Sequence, residues 1–252
     1  MYELSVDEHG RLFYTTRFVE GETLSAILDQ IRSGEAAITE RFTLAALLSI
    51  FQRVCDTVAF AHSHGVLHTA LRPDHVIIGS FGEVFVTTWG LAKVLEPSVN
   101  EEGVPAFRGI RAPAATALPA LSAYSSPEQA TDSFDQMQER SDIYALGAIL
   151  FRLVHLQESI AAENDEELLS KILLGQHASP VELARQVAPH WPGGKHPDFL
   201  SAIAIKAMSA APADRPASVQ ELQQQIAAWQ EHVTSGGDAS RLFKRFGLFG
   251  KH

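Results

Sequence analysis

The chain is short of several residue types, and each shortage excludes a class of protein. Its 252 residues include a single cysteine, Cys55, so no disulfide can form within the chain and a reducing compartment is the simple expectation. Lysine and arginine total 20 against 30 aspartates and glutamates, and this net charge of -10 argues against a nucleic-acid binder. The N-terminus lacks a signal pattern, and the longest apolar runs are interrupted well before the roughly 20 residues that span a membrane. These features predict a cytoplasmic protein.

The pattern of apolar residues predicts one mainly helical domain that begins with a small β element. Residues that favour strands dominate 2–19, around a turn signal at 7–10. Two short β-rich runs, 76–78 and 84–86, flank a turn with two glycines and predict a hairpin. Helical periodicity marks six segments: 23–31, 43–64, 141–154, 166–174, 199–208 and 219–229. No periodicity is present over 96–126, which indicates a long irregular loop.

Several separated motifs resemble those of one enzyme family. Residues 68–78 read His-Thr-Ala-Leu-Arg-Pro-Asp-His-Val-Ile-Ile, and residues 88–90 read Thr-Trp-Gly. They are similar to the catalytic loop and the Asp-Phe-Gly motif of bacterial eukaryotic-type serine/threonine protein kinases. Five further matches follow the family's order: 17–24, 61–68, 126–130, 141–147 and 213–218. The resemblance implies an α+β, mainly α fold, namely a kinase-like C-lobe with a small remnant of the N-lobe sheet.

The same resemblance divides the chain into three parts and assigns four structural residues. Residues 1–20 would form the remnant N-lobe strands and hinge, 21–232 the helical C-lobe, and 233–252 a linker and a basic aromatic tail. In the family, the glutamate and arginine equivalent to Glu128 and Arg215 form a buried ion pair. The aspartate equivalent to Asp142 holds the catalytic-loop backbone, and the glycine equivalent to Gly147 allows close helix packing.

The positions that perform chemistry in the family hold other residues here. The aspartate that accepts the proton of the substrate hydroxyl is replaced by Ala70. The asparagine and aspartate that bind magnesium are replaced by His75 and Thr88, and neither supplies the carboxylate oxygen that this ion prefers. The motif lysine is replaced by Arg72, a cation of different geometry. The resemblance therefore implies a degenerate site.

The remaining site positions fit the same interpretation. His68 keeps the family histidine, whereas Thr69 replaces the arginine that would hold a phosphate on the activation loop. Trp89, before Gly90, replaces the motif phenylalanine; it either packs in apolar space, which we favour, or plugs the nucleotide pocket. The histidines do not predict a metal site, because no cysteine or paired carboxylate joins them: His62, His64, His68 and His75.

The first half of the kinase N-lobe is missing from the sequence. Only residues before Arg17 precede the hinge, and they contain neither Gly-x-Gly-x-x-Gly nor Val-Ala-x-Lys. The chain is thus either a half-kinase or a fragment. The hinge equivalents are Thr16, at the gatekeeper position, with Arg17, Phe18 and Val19. They offer a place for adenine without metal, but we predict no cofactor.

These expectations favour a catalytically inactive pseudokinase that acts as a scaffold or regulatory interaction module. A hinge strand with an unpaired edge and an uncovered apolar face predict a protein partner or a homodimer. The alternative is a serine/threonine kinase or ATP-binding protein with residual or partner-completed activity. The tail, 241–251, mixes aromatic and basic residues; it either contacts a membrane or a partner's groove, or it is disordered or docked on its own chain.

Overall fold

The computed structural model describes residues 3–6, 12–15, 18–95, 120–131, 133–179, 182, 187–235 and 240–248. The chain begins with an antiparallel pair of strands, β1 (Glu3–Val6) and β2 (Leu12–Thr15), in which Glu3 lies opposite Thr15. The β element predicted from the sequence is therefore present, and its predicted turn lies outside the described residues.

Five further short strands form two small sheets, and these sheets hold in place the two loops that resemble kinase motifs. In the first sheet β3 (Glu22–Thr23) pairs with β5 (Val76–Ile78), which pairs with β6 (Val84–Val86), all antiparallel. In the second, β4 (Val66–Leu67) pairs with β7 (Lys93–Val94). The hairpin of β5 and β6 is the one that the sequence predicts. Because β4 and β5 belong to different sheets, the loop between them is fixed at both ends.

Helices make up most of the rest of the described chain. They are α1 (Leu24–Arg32), α2 (Ala36–Arg41), α3 (Leu44–Ser63), α4 (Pro127–Ala130), α5 (Glu139–His155), α6 (Asp165–Leu173), α7 (Asp198–Ala207), α8 (Val219–Ser235) and α9 (Ser240–Phe246). The hydroxyls of Thr23 and Thr43 accept hydrogen bonds from Ala26 N and Ala46 N, which caps α1 and α3 at the positions where the sequence predicts their starts. The expected α+β, mainly helical architecture is confirmed.

Helix α5 lies at the centre of the core, and every residue from Ser141 to His155 is buried. It packs most closely on α7, where a Cβ added to Gly147 would lie 2.7 Å from Ala207 Cβ and 3.0 Å from Ala204 O. Glycine is therefore required here by the close approach of two helices. α3 is apolar and long enough to cross a membrane by length and composition, but here it packs against α5 and α8 with 56% of that stretch buried.

The described part of the tail is docked on the protein itself. Leu242 of α9 is buried, and the rings of Phe243 and Phe246 lie 5.2 and 6.0 Å from that of Phe199 on α7. Lys206 Nζ donates to the carbonyl of Phe246 at 3.4 Å. The helix ends before Gly247, whose φ is +60°. Docking on the same chain was one of the two alternatives for this segment; contact with a membrane or partner stays a prediction, as does the three-part division of the chain.

Candidate catalytic-loop site

One buried carboxylate organises the loop between β4 and β5. Asp142, in the first turn of α5, is 1% exposed. Its Oδ2 accepts from the backbone N–H of His68 at 2.8 Å, and its Oδ1 accepts from that of Thr69 at 2.9 Å. A third donor is His62 Nε2 on α3, 2.8 Å from Oδ2. The carboxylate thus joins two helices and the loop, and it satisfies two buried N–H groups that no strand pairs.

The site contains strained backbone. Thr69 and Thr88 have φ of +65° and +67°, a left-handed conformation that is costly for a β-branched residue. The Thr69 hydroxyl donates to Leu91 O at 2.8 Å, and Gln129 Nε2 donates to Thr69 O at 2.6 Å. Such strain costs of the order of 1–3 kcal/mol per residue and persists only where the surroundings hold it. The two motif loops are therefore held in a defined shape.

His68 is a packed histidine whose tautomer follows from its partners. Its Nε2 lies 2.8 Å from the carbonyl of Thr87, which can only accept, so Nε2 carries the proton. Its Nδ1 accepts from the N–H of Ala70 at 3.2 Å. Burial lowers the pKa of His68, since the apolar surroundings disfavour the charged ring. The Trp89 ring packs 4.4 Å from it, and Trp89 Nε1 donates to Val86 O at 2.9 Å.

A cavity of about 210 Å³ lies where the family's base and metal ligands would be. Its lining comprises Thr69, Ala70, Leu71, Arg72, His75, Thr88, Leu91, Ala120, Ser122, Tyr124 and Ser125. His75 Nδ1 lies 2.6 Å from Ala70 O, and Arg72 Nε donates to Asp74 at 2.9 Å. The structure therefore brings together Ala70, Arg72, His75 and Thr88, while Gly90 is exposed beside them in a 3₁₀ turn.

The residues present do not fit the magnesium ion that kinases use. Among the described residues that line the cavity there is no carboxylate; the donors at the two family positions are the Thr88 hydroxyl and the His75 imidazole. Magnesium prefers carboxylate and water oxygens in an octahedron, so this set is a poor match. Within the described part of the chain, no cluster of three or more histidine, cysteine, aspartate or glutamate side chains is arranged to hold a metal.

An ion pair supports the segment that follows the cavity. Arg215 donates to the two oxygens of Glu128 at 2.7 and 2.9 Å, and Ser141 Oγ donates to the same carboxylate at 2.7 Å. Burial tends to raise the pKa of Glu128, but the hydrogen bond and charge of Arg215 outweigh it and hold that pKa below its usual value. Glu128 lies in the short helix α4, and Ser141 and Arg140 lie in the first turn of α5, so these bonds fix α4 against the start of α5.

Sequence reasoning missed Gln129, although its motif was recognised. Its Oε1 accepts from the N–H of Ser126 at 2.9 Å while its Nε2 reaches Thr69 O. One amide therefore links α4 to the catalytic loop, 60 residues earlier in the chain. The available signal was its place next to Glu128. Of the hinge equivalents, Thr16 and Arg17 lie outside the described residues, Val19 is half-buried and Phe18 is 86% exposed.

Comparison with known proteins connects this geometry to a family. A model of the protein kinase domain matches residues 2–226. Serine/threonine-protein kinase PknD of Chlamydia felis is 32% identical over 227 residues, 85% of this chain and 23% of that protein. PknD of Protochlamydia amoebophila is 32% identical over 228 residues, 87% of this chain and 22% of that protein. The chain spans less than a quarter of the length of these relatives.

A solved structure shows the same fold. The twitchin kinase region of C. elegans (Fn31-NL-kin-CRD-Ig26) matches 82% of this chain and 32% of that one, with a TM-score of 0.60 and 14% sequence identity. At this identity the likeness concerns the fold alone.

These comparisons contradict one prediction made from the sequence, that the chain is not an enzyme. The similar proteins are named serine/threonine kinases and match most of the chain. The physical reason for the error is that loss of one positioned base lowers a rate by a finite factor, about 10²–10⁴. Phosphoryl transfer depends mainly on positioning and electrostatic stabilisation, to which a base contributes one part. Missing carboxylates are therefore insufficient evidence against activity.

Proposed function

Since the chain belongs to the protein kinase family, we propose that it transfers the γ-phosphoryl group of ATP to serine or threonine hydroxyls of proteins, at a residual rate. The observation that carries this proposal is the preserved frame of the catalytic loop. Asp142 holds the N–H groups of His68 and Thr69, and Thr69 and Thr88 stay in costly left-handed conformations. In a loop that does not position a substrate, these residues would be more stable in an unstrained backbone conformation.

The residues around the cavity have complementary roles in this proposal. Arg72 lines the cavity and carries a permanent positive charge, which favours a phosphoryl group as negative charge spreads over its oxygens. Ser122 and Ser125 also line the cavity, on the segment that leads to α4, where a polypeptide acceptor would lie. The acceptor oxygen bonds to the γ-phosphorus, and the bond from that phosphorus to the bridging oxygen of ADP breaks. Ala70 cannot take the released proton, so the rate is low.

Weak nucleotide affinity is part of the same proposal. Residues 1–252 contain neither the Gly-x-Gly-x-x-Gly motif of the phosphate loop nor the Val-Ala-x-Lys motif of the strand lysine. In kinases these groups cover and pair the phosphates. We expect half-saturation at millimolar ATP, and activity assays should therefore use several millimolar nucleotide.

The test restores the missing base. Purified chain, Ala70→Asp and Ala70→Asn are incubated with [γ-³²P]ATP, a divalent cation and casein, and phosphoserine and phosphothreonine are counted. Ala70→Asp should raise the rate clearly above that of the unmodified chain and of Ala70→Asn, because it supplies the carboxylate base that the family uses at this position. Ala70→Asn has nearly the same shape without a basic oxygen, so it should give no such gain. Its inclusion also separates true activity from a contaminating kinase, which would be equal in all three preparations.

Two results would decide against the proposal. The first is an absence of incorporation above the protein-free blank for both the unmodified chain and Ala70→Asp. The second is equal incorporation by Ala70→Asp and Ala70→Asn, because the site would then not position an acceptor beside residue 70.

A further inference from the structure

The side chain of His75 is fixed in one tautomer by the backbone around it. Its Nδ1 lies 2.6 Å from the carbonyl oxygen of Ala70, and since a carbonyl can only accept, Nδ1 carries a proton. In the neutral ring Nε2 then has the lone pair and is the basic nitrogen. No described residue forms a hydrogen bond to that nitrogen, and the half-buried ring lines the catalytic-loop cavity.

The backbone of His75 is held on both sides, which keeps the ring in place. Its N–H donates to Arg72 O at 2.9 Å, and its carbonyl accepts from the N–H of Thr87 at 2.8 Å and from the Thr87 hydroxyl at 3.1 Å. These bonds tie the residue to the loop before it and to the segment after β6. A base held in this way needs little reorganisation to meet a substrate.

Three ionisable groups lie near His75: Arg72 and Tyr124 line the same cavity, and His68 is close to it. Arg72 lies in the same cavity wall and is paired with Asp74. His68 lies close enough for its charge to interact with that of His75, and burial lowers the pKa of His68, which favours its neutral form. Tyr124, across the cavity, has its pKa raised by burial and stays neutral. No described carboxylate lines the cavity to compete for the proton.

We infer that His75 is the proton acceptor of this site, a catalytic role that in kinases belongs to the aspartate at the position of Ala70. The inference rests on the proposed function and deepens it. As the acceptor oxygen bonds to the γ-phosphorus and ADP leaves, the O–H bond of the serine or threonine breaks. Its proton passes to Nε2 of His75, the ring becomes an imidazolium, and water removes the proton after the products leave. The imidazole thereby takes over the proton-accepting role of the aspartate that is replaced by Ala70.

The test is His75→Asn, measured with and without a restored carboxylate. An asparagine amide can still donate to Ala70 O, so a residue that only positions the loop keeps its function, whereas the basic nitrogen is lost. In the unmodified chain His75→Asn should lower kcat by about a hundredfold or more while KM for ATP changes little. In the Ala70→Asp background the same change should cost less than about threefold, because the new carboxylate takes the proton.

The pH dependence gives an independent readout. The rate of the unmodified chain should fall as the pH is lowered, because a protonated imidazole cannot accept a second proton. His75→Asn should flatten this profile. His64→Asn is the matched control: His64 is an exposed histidine at the end of α3 that is bound to Phe60 O, and its loss should leave rate and profile unchanged.

The outcomes separate the inference from the proposed function. If His75→Asn lowers kcat by the same factor in the unmodified chain and in Ala70→Asp, His75 only positions the loop. If it lowers kcat of the unmodified chain by less than about threefold, His75 has no part in the reaction. Either result overturns the inference and leaves the proposed function standing. No activity in the unmodified chain and in Ala70→Asp overturns the function and the inference with it. If His75→Asn does not fold, ¹⁵N spectra of the unmodified chain decide: a proton on Nε2 of neutral His75 contradicts the inference.

Discussion

Loss of one partner of the Glu128–Arg215 ion pair should destabilise the whole domain. Arg215 is 3% exposed, and besides its two bonds to Glu128 it donates to the carbonyls of Ser209, Ala210 and Arg140 at 2.8–3.0 Å. Arg215→Met therefore removes the donor of three carbonyl groups and leaves the Glu128 carboxylate without its opposite charge, with the Ser141 hydroxyl as a remaining donor. Removal of one half of a buried pair typically costs about 3–5 kcal/mol. That is a large share of the 5–15 kcal/mol by which domains are usually stable.

Urea unfolding at pH 7, followed by circular dichroism, gives the free energy of unfolding for four proteins. These are the unmodified chain, Arg215→Met, Glu128→Gln and the double variant. The double variant should lose less free energy of unfolding than the two single variants lose together, because it contains neither charge of the pair. Glu167→Gln is the matched control, because Glu167 pairs with Lys171 on an exposed turn of α6 and its loss should produce no measurable change.

The pH dependence of the free energy of unfolding gives a second test of the ion pair. The folded state lowers the pKa of Glu128 below its usual value of 4.5. Its stabilisation is therefore fully present above pH 4.5 and is lost as the pH falls through the folded pKa. The difference in free energy of unfolding between the unmodified chain and Glu128→Gln should therefore become smaller as the pH falls. Single variants that cost less than about 1 kcal/mol at pH 7, or strictly additive losses, would refute the reasoning.

Two further predictions concern the core. Gly147→Ala should destabilise the protein by about 1–3 kcal/mol, because the new Cβ would lie 2.7 Å from Ala207 Cβ; thermal melting checks this, and an unchanged melting temperature would show that α5 and α7 can separate freely. Burial lowers the pKa of His155 from 6.5 to about 3, so the folded protein keeps this histidine neutral. The resulting contribution to stability is fully present above pH 6.5 and is lost as the pH falls below 6.5. The loss amounts to at most about 1.4 kcal/mol per pH unit. Urea titrations between pH 7.5 and 5 should show a shallower pH slope for His155→Gln, and an identical slope would contradict the assignment.

Local signals in the sequence predict the elements that have them. α3 starts after Thr43, whose hydroxyl caps it, and ends just before Gly65, whose φ is +69°. α2 and α9 were not predicted: α2 has no buried residue to create an apolar pattern, and Gly247 and Gly250 argued against a helix that ends before both. Of the two, α9 depends on packing against a distant part of the chain, Phe199 of α7, which its own sequence does not show.

The candidate site shows the same division between local and distant information. The motifs identify where Ala70, His75 and Thr88 lie along the chain, because their spacing is that of a known loop. They do not give the tautomer of His75, which depends on the direction of one carbonyl, or the bond of Gln129 to Thr69. The prediction that the chain is not an enzyme is wrong for a related reason. Residue types alone do not show that the backbone conformation of the catalytic loop is preserved.

Asp142 has a consequence for the order in which the molecule folds. Its partners His62 and His68 lie 80 and 74 residues earlier in the sequence. Contacts of such long sequence separation require closure of large chain loops and slow folding. Until α5 has docked beside α3, nothing holds the N–H groups of His68 and Thr69. We therefore expect amide hydrogen exchange during refolding to protect these two residues together with α5, so that a ribosome-bound chain acquires its catalytic loop only after residue 142 has emerged.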